Sequence, residues 1–117
     1  MGKLSRRKGA AAERELAKDF SAHLGRKVKR NLGQYQESSG RDLDGTEPLC
    51  VQIKHTKKAA SAAKVLAEAA AATDSHYWIP VAVQKQDRGK WILSMYAEDF
   101  FEWFDIRRLQ NEFGKSD

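Results

Sequence analysis

Four polar side chains in the first half of the chain have the types and spacing needed for metal-dependent hydrolysis. Gln52 and Lys54 stand two residues apart in an alternating segment, so both side chains project from one face of a predicted strand. Asp42 can lie beside Gln52 on a neighbouring strand, and Glu13 can reach the same point from a packed helix. Mg²⁺ prefers such oxygen ligands, and a lysine beside the ion can orient a water and stabilise charge on a phosphate. The four residues therefore indicate chemistry at a phosphate group.

The element that positions Glu13 is a predicted helix from Lys8 to Leu24, closed by Gly25. Its apolar stripe consists of Leu16, Ala17, Phe20 and Leu24. Glu13 lies in the middle of this stripe, where a carboxylate is costly unless it is paired or binds a cation. The sequence leaves both open: an ion pair with an Arg or Lys, or a cation site. Gly9, one turn earlier on this face, predicts the close approach of another backbone.

The other elements predict a single α/β domain over residues 1–117, with a central mixed sheet flanked by helices. Leu49 to His55 alternates cleanly and is the clearest strand. Asp44, which precedes Gly45, is interpreted as a turn residue. The remaining predictions are a short strand at 27–32, a polar loop at 33–40, an alanine-rich helix at 57–73, a hairpin at 76–84 and 90–96, and a helix at 98–113.

Composition narrows the class of protein and of partner. The chain has 117 residues, 21 Lys and Arg against 16 Asp and Glu, and a formal charge of +5, which favours an acidic partner such as nucleic acid. The balance is +7 over residues 1–30, with ten basic and three acidic residues, and −3 over residues 98–117, with three basic and six acidic. A single cysteine excludes an intrachain disulfide, and no apolar run suits a membrane span or a signal peptide. We therefore expect a cytoplasmic protein with no membrane association.

Several other side chains are interpreted as structural. The three histidines have no second ligand at metal spacing, and Cys50 lacks an obvious base. Trp78 and Trp91 are predicted to lie in the core. The aromatic cluster of the last helix is broader than one core stripe needs, so it predicts either core packing or a homodimer interface: Phe100, Phe101, Trp103 and Phe104.

The segment Lys8-Gly9-Ala10-Ala11-Ala12-Glu13-Arg14-Glu15-Leu16 resembles the first helix of archaeal Holliday junction resolvases, which belong to the PD-(D/E)XK nuclease superfamily. The superfamily signature is an acidic residue, a spacer, then Asp or Glu, any residue, and Lys. Arg41-Asp42 and Gln52-Ile53-Lys54 occupy those places. The resemblance covers about Arg7 to Lys58, roughly half the chain.

The resemblance implies a restriction endonuclease-like fold and an endonuclease that uses Mg²⁺, or Mn²⁺, to cut branched DNA as a homodimer. It implies that Asp42 binds the metal directly, with the Gln52 side-chain oxygen and the Ile53 carbonyl as further ligands, and that Glu13 binds the ion or one of its waters. Lys54 would attend the attacking water, and Ser38 or Ser39 would assist. The DNA contacts expected from the basic clusters and this loop are Arg6, Arg7, Lys8, Arg30, Ser38, Ser39, Lys57 and Lys58.

Two departures from the signature bear on activity. Gln52 replaces the usual acidic residue, which removes one negative charge and predicts weaker metal binding. Arg41 stands where the superfamily has Pro, and Asp44 is a second carboxylate that could restore charge. The alternative function is a non-catalytic DNA-binding module with a degenerate nuclease site. A third possibility, a basic assembly factor that uses the aromatic last helix, explains less of the chain.

Overall fold

The computed structural model describes residues 3–32, 41–56, 60–73 and 78–114, with side chains from residue 9 to residue 112. Within these ranges, three helices and five strands follow one another: α1 (Lys3–Leu24), β1 (Lys29–Arg30), β2 (Leu43–Asp44), β3 (Leu49–Thr56), α2 (Ala62–Ala72), β4 (Ile79–Gln86), β5 (Ile92–Ser94) and α3 (Ala97–Gly114).

The last three strands of the chain form a mixed sheet in the order β3-β4-β5. β3 and β4 are parallel along their whole length, from Leu49 opposite Ile79 to Thr56 opposite Gln86, and β5 is antiparallel to β4. A parallel pair needs a crossover connection, which α2 supplies. β1 and β2 form a small antiparallel pair, and the Asp42 N–H donates to the Val51 carbonyl at 2.9 Å, which attaches this pair to the free edge of β3.

The sheet packs against a helix on each face. Leu16 and Ala17 of α1 belong to the larger buried cluster with Val51 and Val81, while α2 forms a second cluster around Ala82. Successive residues of a strand face opposite ways, so a strand covered on both faces needs an uninterrupted apolar run, which β4 has from Ile79 to Val83. The predicted mixed α/β architecture, a mixed sheet with flanking helices, is confirmed.

The helix boundaries differ from the predictions in informative ways. α1 begins at Lys3 rather than Lys8, and it ends as predicted before Gly25, whose φ of 72° suits glycine. α2 begins at Ala62 rather than at residue 57, because Ser61 caps it by accepting a hydrogen bond from the Lys64 N–H at 3.3 Å. The interpretation of Gly9 as a close-approach position is wrong for the part of the chain that the structure describes, since a Cβ there would meet none of its heavy atoms within 4 Å.

The turn before the clearest strand is set by Gly45. Its φ is 98°, and a Cβ at this position would overlap the Lys27 carbonyl oxygen. Glycine is therefore required here both for the backbone conformation and for space. Asp44 lies in β2 opposite Lys29, so its interpretation as a turn residue is wrong.

Helix α3 keeps much of its aromatic surface exposed. Trp103 packs against the larger buried cluster, but Phe101 is 62% exposed and Phe104 is 52% exposed. Core packing alone therefore does not account for the aromatic residues of this helix. Among the described residues, no helix combines the length and the apolar character needed to cross a bilayer.

Candidate functional site

Asp42 is pinned at the junction between the β1-β2 pair and the main sheet. Its backbone N–H donates to the Val51 carbonyl and its backbone carbonyl accepts from the Asn31 N–H, both at 2.9 Å. Its side-chain Oδ2 accepts a hydrogen bond from the Ile53 N–H at 2.7 Å. The carboxylate is therefore held against the strand that carries Gln52, Ile53 and Lys54.

Burial raises the pKa of Asp42 from the ordinary value of 3.8 to about 6. The hydrogen bond from Ile53 opposes this change by favouring the charged form, and the nearby charge of Glu13 adds to it by repulsion. Two carboxylates share this part of the molecule, as the sequence predicts. A divalent cation would favour the ionised form of both.

Glu13 reaches this region from the core-facing side of α1. Its side chain is 13% exposed, and Oε2 accepts a hydrogen bond from Arg30 Nε at 2.9 Å within an ion pair. Of the two explanations that the sequence leaves open, the ion pair is therefore present. A cation site near Glu13 is still compatible with this geometry, because Glu13 lies close to Asp42 and a paired carboxylate can also bind a cation.

The backbone of Ile53 is oriented towards the same place. In a β-strand the N–H and C=O of one residue point to the same side. Because the Ile53 N–H is directed at Asp42, its carbonyl also faces the β2 edge. This orientation is compatible with the expected role of the carbonyl as a ligand.

Gln52 and Lys54 share a face, as the strand periodicity predicts, but that face is covered by α2. Gln52 Nε2 donates to the Ala69 carbonyl at 3.4 Å, and Lys54 Nζ lies 3.6 Å from Glu68 Oε2. Lys54 and Glu68 are 47% and 55% exposed, so solvent screens this pair strongly. The structure thus brings Glu13, Asp42 and Ile53 together and places the other two side chains against the neighbouring helix.

Glu68 is a residue that the sequence analysis did not select. The available signal was its position in the helix that follows Lys54, four residues after Lys64 and on the same helical face. The sequence alone does not say that this face turns towards Gln52 and Lys54, because that depends on which side of the sheet the crossover helix takes.

Arg41 and Cys50 are further neighbours of Asp42. The Arg41 guanidinium stacks over the Trp78 ring at 4.2 Å from its centre, and the Arg41 carbonyl accepts from Asn31 Nδ2 at 3.0 Å. Burial raises the pKa of the Cys50 thiol, which favours the protonated form and agrees with the prediction that Cys50 is not a nucleophile. Trp91 packs against the core as predicted, and Trp78 is instead partly exposed beneath Arg41.

His55 points away from the face of Lys54. Its Nε2 lies 3.1 Å from Asp87 Oδ1, and its ring contacts Trp91 at 6.1 Å between centres. This placement follows from the strand, in which consecutive residues such as Lys54 and His55 point to opposite faces. Some expected DNA contacts fall outside the described residues or side chains: Arg6, Arg7, Lys8, Ser38, Ser39, Lys57 and Lys58.

The donor set near Asp42 has the chemistry of a magnesium site. It offers two carboxylates and a backbone carbonyl, all of them hard ligands, whereas the Gln52 amide is held by α2. Within the described ranges, no group of three or more His, Cys, Asp and Glu side chains is arranged around one point. A cation here would therefore depend on the carbonyl and on water in addition to the two carboxylates.

Comparison of the chain with protein-family models, with curated proteins and with solved structures finds no match. The residues and their geometry therefore carry the functional argument.

Proposed function

We propose that this protein is a metal-dependent DNA endonuclease with a restriction endonuclease-like fold. The observation that carries the proposal is the position of the Asp42 carboxylate. It lies near Glu13 and accepts a hydrogen bond from the N–H of Ile53, the residue between Gln52 and Lys54 on β3. The order of elements also supports it: a helix with a core-facing Glu, an antiparallel pair that presents Asp42, then the strand of the Gln-Ile-Lys triplet.

In this proposal Asp42, Glu13 and the Ile53 carbonyl would hold a Mg²⁺ or Mn²⁺ ion, and the Gln52 amide oxygen would join them once its side chain leaves the Ala69 carbonyl. The ion supplies Lewis-acid activation of a water and stabilises charge on the phosphate. Asp42 must be ionised to bind the ion, and because burial raises its pKa to about 6, a proton competes with the metal for this group below about that pH. Lys54 would orient the attacking water after its ammonium group leaves Glu68. Both side chains are about half exposed, so this ion pair can open.

The proposed substrate is branched DNA of the Holliday junction type. The excess of ten basic over three acidic residues in positions 1–30 supports a polyanionic substrate. Symmetric cutting of two strands needs two sites, so we propose a homodimer that acts in the cytoplasm. The exposed aromatic residues of α3 supply apolar surface for such an association.

A non-catalytic DNA-binding module is the second candidate. It is favoured by the contacts of Gln52 and Lys54 with α2, which place two residues of the expected site away from Asp42. Against it stands the Glu13 and Asp42 pair, since a partly buried carboxylate with a raised pKa lowers stability and serves no purpose in binding a phosphate backbone.

The experiment that separates the two candidates is cleavage of labelled DNA in Mg²⁺, Mn²⁺ or EDTA. Four-way junction, linear duplex and single strand are compared, with Lys54→Ala as the test variant and Lys90→Ala, an exposed hairpin lysine, as the control. We expect metal-dependent paired nicks in the junction, lost in Lys54→Ala and retained in Lys90→Ala. Salt-sensitive binding without cleavage under either metal would favour the binding module.

A further inference from the structure

Arg30 makes the ion pair that organises one side of the candidate site. Its Nε donates to Glu13 Oε2 at 2.9 Å, and the two side chains are only 24% and 13% exposed. Partial burial strengthens such a charge-assisted contact relative to one on the surface. Because the contact uses Oε2, the second oxygen of Glu13 can face a cation.

The location of Arg30 ties this pair to Asp42. Arg30 lies on β1 opposite Leu43, and the next residue, Asn31, donates its N–H to the Asp42 carbonyl at 2.9 Å. The same small β1-β2 unit therefore carries both Asp42 and the guanidinium that holds Glu13. This unit fixes the position of a helix-borne carboxylate relative to a strand-borne one.

Without Arg30, Glu13 and Asp42 would face each other as two partly buried like charges. Glu13 has the rotamer freedom of a long side chain, and repulsion would turn it away from Asp42. The guanidinium offers a rigid planar set of donors, which Lys does not reproduce.

We propose that Arg30 is a positioning residue that holds Glu13 beside Asp42 so that both carboxylates are in place before a cation binds. This inference rests on the proposed function, and it gives Arg30 a role other than the contact with DNA phosphate that its charge suggests.

The test measures Mn²⁺ binding to the full chain by calorimetry, together with the salt dependence of junction binding in EDTA. The variants are Arg30→Gln, Arg30→Lys and, as the matched control, Lys29→Gln, which removes the same charge from the exposed neighbour on β1. We expect Arg30→Gln to weaken Mn²⁺ binding about tenfold or more, as loss of the residues that orient metal ligands does. Arg30→Lys should recover part of this loss, and Lys29→Gln should change it little.

A double-mutant cycle separates positioning from general destabilisation. Removing Arg30 in a Glu13→Gln background should have almost no further effect on Mn²⁺ affinity, because the carboxylate to be positioned is gone. An undiminished effect in that background would overturn the proposal. If Arg30→Gln fails to fold, Arg30→Lys in both backgrounds gives the same comparison.

The same measurements distinguish failure of the positioning role from failure of the proposed function. Unchanged Mn²⁺ affinity in Arg30→Gln, with a salt slope lower by about 0.9, would make Arg30 a phosphate contact and overturn the positioning role alone. Absence of Mn²⁺ binding to the parent protein would contradict the proposed function as well.

Discussion

Replacing Asp42 with Asn should make the metal-free protein more stable at neutral pH. Asn keeps an oxygen that can accept the hydrogen bond from Ile53, so the substitution removes the charge and little else. The pKa of Asp42 is raised from 3.8 to about 6. Because one pKa unit corresponds to about 1.4 kcal/mol, the ionised Asp42 lowers the free energy of unfolding by about 3 kcal/mol relative to its protonated form.

The sign of the pH dependence follows from linkage. The folded protein binds the Asp42 proton more tightly than the unfolded chain does, so proton binding stabilises the parent at low pH. This stabilisation is lost as the pH rises from about 4 to about 6. Asn carries no charge at any pH. The advantage of Asp42→Asn should therefore be about 3 kcal/mol at pH 7 and about 1 kcal/mol near pH 4.5.

Urea unfolding in EDTA at both pH values measures this difference, and a thermal scan at pH 7 should show a midpoint about 10 °C higher. Asp19→Asn, at an exposed position of α1, is the control and should show no comparable gain. An equal gain at the two pH values, or a loss of stability at pH 7, would refute the argument that a buried charge on Asp42 opposes folding.

Four other substitutions test the carboxylate pair, the role of Gln52 and the two glycine positions. Glu13→Gln should lower the pKa of Asp42, measured by carboxyl NMR, because the substitution removes a neighbouring negative charge. An unchanged pKa would mean that the two carboxylates do not interact. Gln52→Glu should tighten Mn²⁺ binding about tenfold in calorimetry by adding a charged ligand, whereas unchanged affinity would place Gln52 outside the site. Gly45→Ala should cost about 1 to 3 kcal/mol in urea unfolding through its positive φ and the overlap with a main-chain carbonyl, while Gly9→Ala, in a helix with open space, should gain up to about 1 kcal/mol.

The part of the fold that follows from local pattern could be predicted from the sequence. The alternation from Leu49 onwards predicts both the strand and the common face of Gln52 and Lys54, because side-chain direction in a strand has a period of two. The apolar stripe of α1 likewise predicts that Glu13 faces inwards. These inferences need only the residues of one element.

The contacts between elements could not be predicted in the same way. Arg30 follows Glu13 by 17 residues, and only the packing of the β1-β2 pair beside α1 selects it from the many basic residues of the N-terminal region. The pairing of Lys54 with Glu68 depends on which face of the sheet α2 covers, and strand periodicity does not contain that information. The position of Asp44 before Gly45 predicts a turn residue, but its backbone pairs with Lys29 in a strand.

The proposed nuclease activity is tested most directly by cleavage of a labelled four-way junction by the parent protein and by Asp42→Asn, purified side by side, in Mg²⁺ and in EDTA. We expect paired, metal-dependent nicks from the parent and none from Asp42→Asn, although the variant folds and binds the junction. Equal cutting by both proteins would assign the activity to a different site or to a contaminant. Binding of the junction without cutting by the parent would contradict the proposal that this is a nuclease.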